Sequence, residues 1–415
     1  MKLPGLLRSL RHRNYRLFFT GQSFSLVGTW MQRMAVSWLV YRLTHSAAML
    51  GLVAFAGQFP SFLLSPLGGI VSDRYQRFKI LLTTQIASLV QASVLAALVL
   101  SKHINIAEII ALSMMLGIIN AFDTPSRQSL VIEMVTDKAD LSNAIALNSS
   151  MVNVARLLGP SIAGILLASV GEGICFLLNA VSFLAVITSL LLMQIVPRTL
   201  TPPTQNVFLE FREGFRFLVR TPALLRVIVM LAAVSLVAMP YSTLLPIFAR
   251  DIYHGDATTF GWLNSMAGLG ALAGAFYLAS RKTSKYLHQV IAITSLAFAA
   301  GLLCFGWSSR LGFALGFIPL CGFGMMSQIA ASNTLIQTSV PDYLRGRMLS
   351  FYIMAFQGMM PVGSYLVGIL AHRIGAPATL RWEGGSCLAI SLIYIYYLRR
   401  QRLERTASME KVAVG

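Results

Sequence analysis

Twelve long apolar stretches, separated by short polar connections, constrain this chain of 415 residues more than any other feature. A helix needs about 20 apolar residues to cross the hydrocarbon core of a bilayer. Apolar residues make up 56% of the chain and charged residues 12%, too few polar groups to cover a water-soluble protein. We predict an all-α membrane protein with twelve transmembrane helices at residues 15–41, 47–72, 78–101, 106–122, 144–170, 173–196, 224–249, 259–280, 287–308, 311–335, 348–372 and 376–398.

The net charge of +18 is distributed unevenly over the connections. When successive connections are assigned alternately to the two sides of the membrane, 25 of the 33 Lys and Arg residues fall on the side that holds both termini. Six fall on the other side, and Arg33 and Arg156 lie inside predicted helices. This is the positive-inside pattern and not a basic groove for nucleic acid. We predict a multi-pass membrane protein with cytoplasmic termini and no nucleic-acid partner.

Short segments recur at a shift of about half the chain length, for example Gly-Ile-Leu at 164–166 and at 368–370. An even number of helices in each half gives both halves the same orientation, which makes the repeat a parallel one. The predicted domains are a six-helix bundle at 1–196, a cytoplasmic linker at 197–222, a second six-helix bundle at 223–398 and a basic tail at 399–415. A seam between two such bundles is a place where a substrate can bind.

The linker has one amphipathic segment. Apolar side chains recur at helical spacing there, and a row of arginines lies beside them, at Arg212, Arg216 and Arg220. We expect a helix whose apolar residues lie at the lipid headgroups: Phe208, Phe211, Phe215 and Leu218.

Motifs of enzymes and of metal sites are not recognisable in the sequence. The four cysteines lie in apolar stretches without metal-ligand spacing, and the six histidines lie in connections or at helix ends. No nucleophile elbow or phosphate loop is recognisable. We therefore expect no enzymatic activity, no cofactor and no metal, and we expect the cysteines to be packing residues.

The connection after the second apolar stretch reads Gly-Ile-Val-Ser-Asp-Arg-Tyr-Gln-Arg-Phe-Lys, residues 69–79. It resembles the loop signature of the major facilitator superfamily, which has a glycine, then Asp-Arg four residues later, then a basic residue. Gly69, Asp73, Arg74 and Arg77 occupy these positions. The matching connection of the second half, 280–285, keeps the basic residues and lacks the aspartate. The resemblance implies two six-helix bundles that transport by alternating access.

Residues 22–38, 123–128, Gly159-Pro160 and 333–346 resemble the bacterial efflux branch of this superfamily, which includes enterobactin and macrolide exporters. The resemblance implies a secondary-active exporter of a small molecule, either a siderophore-like anion or a drug such as a macrolide, that exchanges its substrate for protons. The Gly-Pro pair is typical of antiporters, but the chain lacks some of the glycines that precede it in them.

The loop signature also has a physical interpretation. Asp73 can face the amino end of a helix that begins near Met348, where partial positive charge is exposed. Arg77 needs a counter-charge, and we predict that it pairs with Asp123 at the cytoplasmic end of the fourth helix. Gly69, Asp73, Arg74, Arg77 and Asp123 would then form a cytoplasmic latch. The alternative is that these charges only cap helices and determine topology.

Prolines interrupt two predicted helices. Gly159 and Pro160 lie in the middle of the fifth helix, where the missing backbone donor is expected to produce a kink. Pro240 and Pro246 are expected to disturb the periplasmic half of the seventh helix in the same way.

Arg33 and Arg156 are the charges that lie deepest in the predicted helices. Gln22, Ser25, Thr29 and Arg33 share one face of the first helix, and Ser149, Asn153 and Arg156 share one face of the fifth. A charge at this depth costs at least about 2.5–3.5 kcal/mol and usually faces a cavity. Asp123 and Glu383 are placed at or near helix ends, so no deep carboxylate is expected to neutralise the arginines.

This charge pattern predicts a cavity for an anionic or strongly polar substrate. Its candidate lining residues are Gln22, Arg33, Asn120, Asn153, Arg156, Gln328 and Asn333. In the alternative interpretation, Arg33 reaches the periplasmic headgroups and Arg156 bonds carbonyls freed by Pro160. Without a deep carboxylate, the proton carrier must be Asp123, Asp73 or the substrate.

Two other functions remain open at this point: a lipid or lysolipid flippase on the same fold, and a non-transporting membrane sensor or scaffold. The expected partners are a small-molecule substrate, protons and the lipid bilayer, and we expect a monomer.

Overall fold

The structure is a computed structural model that describes residues 5–135, 137–194, 207–281 and 286–414. All regular structure in these ranges is helical, which confirms the predicted all-α class. Within the same ranges, nine helices are long and apolar enough to cross a membrane. The total of twelve transmembrane helices stays a prediction.

The first half of the chain contains six long helices. A 3₁₀ segment, Gly5–Arg11, precedes them, and another, Lys138–Asp140, precedes α5. Ser46 caps α2 through the Met49 amide, and a capping box with Asn105 begins α4. The helices are α1 (Arg13–Thr44), α2 (Ala47–Arg74), α3 (Arg77–Leu100), α4 (Ile106–Met134), α5 (Leu141–Ser169) and α6 (Glu172–Leu191).

The second half begins with the amphipathic α7. The seventh apolar stretch is broken, as Pro240 and Pro246 predicted. α8 ends at Val237, and a 3₁₀ segment covers Met239–Leu244. The single-turn α9 follows, and a π-helix covers Phe248–Ile252. A second π-helix, Met354–Gly358, separates α13 from α14. The helices are α7 (Val207–Arg220), α8 (Pro222–Val237), α9 (Leu245–Ile247), α10 (Ala257–Ala279), α11 (Leu287–Trp307), α12 (Leu311–Ser339), α13 (Asp342–Ile353), α14 (Met359–Ile374) and α15 (Ala376–Val414).

Two compact units interleave along the chain. The first unit contains Met1–Thr204, Thr243–Gly268 and Ser364–His372, and the second contains Gln205–Ser242, Leu269–Gly363 and Arg373–Gly415. Two segments from the second half of the chain therefore belong to the first unit. The predicted domain boundaries at 196, 222 and 398 stay predictions.

In the first unit, α1 packs against α6 and α5, and α2 packs against α4. A buried polar chain joins α1, α3 and α6: Asn179 donates to Gln32 Oε1 at 2.7 Å, and Gln32 donates to Gln91 Oε1 at 3.0 Å. These amides are satisfied by one another, which buried polar groups require.

In the second unit, α11 lies between α12 and α15 and packs against both. Cys321 of α12 and Cys387 of α15 are fully buried, and all four cysteines are free thiols. Their packing agrees with the role predicted for them.

The linker helix α7 packs one face against α13. The Phe211 and Phe215 rings lie 5.0 and 6.2 Å from the Phe351 ring, and Glu213 pairs with Arg347 at 2.6 Å. Both linker rings keep about half of their surface exposed, so they also remain available to lipid. The side chain of Phe208 lies outside the described residues.

Candidate functional site

Two arginines of the first unit share one tryptophan ring. The guanidinium carbon of Arg33 lies 5.1 Å from the centroid of the Trp30 ring, and that of Arg156 lies 5.2 Å from it. A cation within about 6 Å of a ring face is attracted by the π electrons. Trp30 and Arg33 belong to α1 and Arg156 to α5, so one ring holds two like charges where the two helices meet.

Both arginines lie far from the ends of their helices. Arg33 precedes Thr44, the last residue of α1, by 11 residues, which is about 16 Å along the helix axis. Arg156 lies 15 residues after Leu141 and 13 before Ser169, about 20 Å from either end of α5. These distances disfavour the alternative in which Arg33 reaches the headgroups.

A third arginine lies near the first two. Arg127 of α4 and Arg156 both act electrostatically on Arg33. Arg127 pairs with Asp123, one turn earlier in the same helix, at 3.1 Å. We call Arg33, Arg127 and Arg156 the arginine cluster. Asp123 therefore offsets the charge of Arg127, one member of the cluster.

Asp123 is buried inside α4, and the expectation that it lies at a helix end is wrong. Its apolar stretch ends at residue 122, but α4 continues to Met134, so 11 residues, about 16 Å, follow Asp123. Only 4% of Asp123 is exposed. Its Oδ1 accepts hydrogen bonds from Gln85 Nε2 at 2.7 Å and Thr84 Oγ1 at 3.0 Å. These donors and Arg127 make an ionised carboxylate tolerable at this depth.

Glu383 is a second deep carboxyl group that the sequence placed near a helix end. It is the eighth residue of α15, about 10 Å from Ala376, and it is fully buried in the second unit. Among the described residues, neither carboxyl oxygen has a hydrogen-bond partner. Cys321 and Cys387 lie within electrostatic reach of it. The prediction that the helices contain no deep carboxylate is therefore wrong in both units.

The other predicted lining residues of the first unit differ in exposure. Gln22 is buried, and its Oε1 accepts no hydrogen bond from the part of the chain that is described. Asn120 is partly exposed on α4. Asn153 donates to the Ser149 carbonyl of its own helix at 3.0 Å. Asn120 and Asn153 therefore have accessible surface on α4 and α5, two of the helices that carry the arginine cluster. Gln22 is buried.

The two predicted lining residues of the second unit lie on α12. Gln328 is fully buried, and neither amide atom of its side chain bonds a described residue. Asn333 Oδ1 accepts a hydrogen bond from Gln337 Nε2 at 2.8 Å. Gln328 therefore contacts no open cavity in this conformation.

The predicted pair of Arg77 with Asp123 is wrong. Arg77 Nη2 pairs with Asp73 at 3.1 Å, and its Nη1 pairs with Glu133 at 2.8 Å. Glu133 is near the end of α4, where the predicted helix end had placed Asp123. The physical reason is the length of α4, which carries Asp123 into the membrane-embedded part and leaves Glu133 at the surface.

The other two signature residues lie at open positions. Arg74 is exposed, and a Cβ added at Gly69 would meet no atom within 4 Å. Gly68, which precedes the signature, packs directly against the backbone of Ala121 in α4. Gly68 therefore lets α2 approach α4, and Arg77 of the signature holds the connection.

An acidic residue ties the amino-terminal segment to the connection before α5. The buried Asp140 carboxylate pairs with Arg11 at 2.7 Å, with His12 at 2.9 Å and with Arg8. Burial raises the pKa of Asp140, but the hydrogen bond from His12 and the charges of Arg11 and Arg8 outweigh it and lower that pKa. The amino-terminal segment and this connection are therefore on the same side of the molecule.

The predicted periplasmic ends of α1 and α5 contact a segment from the second half within the first unit. Tyr41 of α1 donates a hydrogen bond to Asp251 of the π-helix. The Ser161 and Ser265 hydroxyl groups are hydrogen-bonded at 2.7 Å. The Trp38 ring stacks on Phe260, with 5.9 Å between centroids.

Two glycine pairs bring backbones together in the same region. A Cβ placed at Gly164 of α5 would lie 2.9 Å from the Cα of Gly261 in α10, and one at Gly368 of α14 would lie 2.9 Å from the Cα of Gly51 in α2. Real Cβ contacts are not this short, so any side chain would force the helices apart. These helices are therefore in direct contact at the predicted periplasmic end of the first unit.

Gly159 and Pro160 lie where α5 crosses α1. A Cβ at Gly159 would lie 2.5 Å from the Cβ of Trp30, so glycine lets α5 approach the ring that holds the arginines. α5 runs without interruption from Leu141 to Ser169 through Pro160, so the predicted kink does not break the helix.

Several residues of the site were not identified from the sequence. Trp30 lies in the stretch 22–38, which resembles the efflux branch, but no role was predicted for it. Glu383 was placed near a helix end, and Glu133 carried no motif. Thr84 and Gln85 lie in an apolar stretch and were not singled out. Asp251 follows Arg250 in a connection and has no pattern of its own. A helix-spaced search for polar residues on α3 would have found Thr84, Ser88 and Gln91 on one buried face.

Comparison with known proteins finds a matching family model and several relatives. The chain matches, over residues 5–413, the family model described as transmembrane secretion effector. It is 28% identical over 393 residues to the staphyloferrin A transporter of Staphylococcus aureus, covering 94% of this chain and 97% of that protein. It is 25% identical over 403 residues to the enterobactin exporter of Salmonella paratyphi A, covering 96% and 95%. Other relatives are a multidrug efflux pump and a macrolide efflux protein.

Solved structures give the fold. The chain aligns with a crystal structure of a POT family transporter at a TM-score of 0.75 and 13% identity, covering 94% of this chain and 96% of that one. At this identity the likeness concerns the fold alone. It agrees with the predicted all-α transporter fold.

Proposed function

Because the chain belongs to the transmembrane secretion effector family of the major facilitator superfamily, we propose that it exports a small anionic or strongly polar molecule across the bacterial inner membrane. Its relatives include efflux transporters for siderophores, macrolides and drugs. These relatives support export. The proposed substrate class rests instead on the residues of this chain.

The observation that carries the proposed substrate class is the arginine cluster. Arg33 and Arg156 lie at mid-helix on one Trp30 ring, and Arg127 is nearby. Positive charge at this depth is costly and usually faces a cavity that water or a ligand reaches. An anionic group placed between Arg33 and Arg156 would offset their repulsion, and the exposed surface of Arg33 makes such contact feasible.

The Trp30 ring gives the site a second recognition element. It is partly exposed and lies within 5.2 Å of both guanidinium carbons, so a planar or apolar part of the substrate can contact the ring while an acidic part binds the arginines. This combination suits an aromatic or amphipathic acid better than an inorganic ion.

Alternating access is supported by the close helix contacts at the predicted periplasmic end. Gly164 packs on Gly261 and Gly51 on Gly368, and the Ser161–Ser265 hydrogen bond closes the same region. Breaking these contacts would open that end, and the small residues make such contacts cheap to separate. The substrate would therefore load from the predicted cytoplasmic side in the present conformation.

Proton exchange is proposed to pass through Asp123. This carboxylate is buried in α4 and pairs with Arg127, a member of the arginine cluster, so it is an acidic group beside the proposed substrate site. A proton taken up at Asp123 from the periplasmic side and released to the cytoplasmic side would drive export in the opposite direction.

The test compares metabolites that a deletion strain and its complemented strain release into the medium. We expect at least one compound, anionic at pH 7, to be released only by the complemented strain. Complementation with Arg156→Gln should lower its release about tenfold or more, the loss expected for one charged hydrogen bond. Arg373→Gln, which removes an exposed charge, is the control. Release of a cationic compound that is unaffected by Arg156→Gln would contradict the proposal.

A further inference from the structure

A cleft on the second unit is separate from the arginine cluster. It lies between α8 and α15 and has a volume of about 610 Å³. Six apolar side chains line it, and we call them its floor; two of them, Val229 and Ile393, keep more than half of their surface exposed. The six residues are Leu225, Val229, Met230, Ala233, Ile390 and Ile393.

The other four residues that line the cleft are basic or aromatic: Arg226, Arg400, Tyr394 and Tyr397. Arg226 Nε donates to the Pro222 carbonyl at 3.0 Å, and its guanidinium carbon lies 6.0 Å from the Tyr397 ring centroid. These contacts hold Arg226 at the beginning of α8, next to the place where α15 carries Arg400.

The dimensions of the cleft match one leaflet of a bilayer. Ala233 lies seven residues after Arg226, about 10 Å along α8, and Ile390 lies ten residues before Arg400, about 15 Å along α15. Half of the 30 Å hydrocarbon core of a bilayer is about 15 Å. The floor therefore spans one leaflet, and the two arginines lie at the level of its headgroups.

Charge complementarity identifies the occupant. Among the side chains that the structure describes, the lining contains two arginines and no acidic residue. Basic pockets between transmembrane helices bind anionic lipid headgroups, and tyrosines are enriched at the same level of the membrane. A soluble anion would gain nothing from an apolar groove of this length, whereas an acyl chain can lie along it.

We propose that the cleft between α8 and α15 binds an anionic phospholipid, with one acyl chain along the apolar floor and the phosphate between Arg226 and Arg400. The predicted topology places this lipid in the cytoplasmic leaflet. The site is independent of the transported substrate, because the cleft and the arginine cluster belong to different units.

Native mass spectrometry of the full chain in detergent tests this, with phosphatidylglycerol, phosphatidylcholine of the same acyl chains, and inorganic phosphate added separately. We expect phosphatidylglycerol to bind more tightly than phosphatidylcholine. Each arginine near the membrane surface is expected to contribute about fivefold, so Arg226→Gln with Arg400→Gln should weaken binding about 25-fold.

Two matched controls separate the cleft from the general basic surface. Arg399→Gln removes the neighbouring charge of α15, and we expect no change in phosphatidylglycerol affinity, whereas Arg400→Gln alone lowers it. Ala233→Phe fills the floor and should lower the affinity, whereas Leu392→Phe, on an exposed position outside the cleft, should not.

Three results would overturn the proposal. Equal affinity for phosphatidylglycerol and phosphatidylcholine would show that the arginines do not select the headgroup. An equal effect of Arg399→Gln and Arg400→Gln would show a diffuse charge effect. Competition by inorganic phosphate together with no effect of Ala233→Phe would show an anion site without an acyl chain. Because lipid binding is measured directly, a failure of the proposed export would leave these readouts unchanged.

Discussion

At the scale of residues, the environment of each charge decides what it can do. Arg74 and Arg373 are exposed and have little effect beyond topology, whereas Arg33 and Arg156 are at mid-helix and share the Trp30 ring. An arginine therefore costs little free energy at a helix end and more in the middle of a membrane helix. The arginines in the middle indicate that a ligand binds there.

Substitution of Arg156 separates charge from hydrogen bonding. Arg156→Lys keeps the charge and should preserve more export of the anionic substrate than Arg156→Gln, which can still donate hydrogen bonds but has no charge. Initial export rates in cells, normalised to the amount of folded protein after size-exclusion chromatography, provide the measurement. Equal rates for the two variants would mean that the charge of Arg156 does not bind substrate.

The Asp140 cluster predicts a specific pH dependence of stability. Because the pKa of Asp140 is lowered in the folded protein, its contribution is fully present above the usual aspartate pKa of about 3.9 and is lost as the pH falls below it. Asp140→Asn should therefore lower the melting temperature at pH 7, and the difference from the wild type should shrink below about pH 4.

Asp137→Asn is the matched control for this experiment. Asp137 is half exposed and pairs with Arg11 alone among the described ion pairs, so its replacement should have a smaller effect at pH 7. A difference between the wild type and Asp140→Asn that stays constant down to pH 3 would contradict the role of the ionised carboxylate.

At the scale of elements, small residues determine where helices of the two halves meet. Gly51, Gly164, Gly261 and Gly368 allow backbone contact, and serines next to two of them add a hydrogen bond. Contacts of this kind are specific and can separate without exposing much apolar surface, which suits a gate.

A disulfide across this gate should stop transport. In a variant that lacks the four natural cysteines, we expect Ser161→Cys and Ser265→Cys to cross-link on oxidation, because their hydroxyl oxygens are 2.7 Å apart. Transport should fall to background and recover on reduction. The control pair, Ser150→Cys with Ser265→Cys, should not cross-link, because Ser150 lies 11 residues, about 16 Å, from Ser161 along α5. Full transport by the cross-linked protein would contradict a gate at this end.

The linker helix should depend on its ion pair with α13. Glu213→Arg or Arg347→Glu alone should destabilise the second unit by about 0.2–1 kcal/mol, the usual range for a partly exposed pair. The double exchange should restore most of this loss, which a double-mutant cycle on thermal unfolding measures. Additive losses in the double variant would mean that Phe351 and its aromatic contacts alone hold α7.

At the scale of the whole molecule, the sequence predicted what depends on local apolarity and missed what depends on packing. The helical class, the broken seventh stretch and the mid-helix arginines follow from the order of residues along one helix. The partner of Arg77 could not be predicted, because it depends on α4 extending 12 residues beyond its apolar stretch, to Met134. Trp30 was missed because its role depends on the rotation of α1 relative to α5.

The direction of transport and its driving force are tested with inside-out membrane vesicles that contain the protein. These vesicles should accumulate the anionic substrate in their lumen when the lumen is made acidic. The accumulation should stop when a protonophore removes the pH gradient. Asp123→Asn should abolish this dependence on the gradient, whereas Asp73→Asn, at an exposed position, should retain it. Accumulation that is independent of the gradient, or that occurs only in right-side-out vesicles, would contradict a proton-driven exporter.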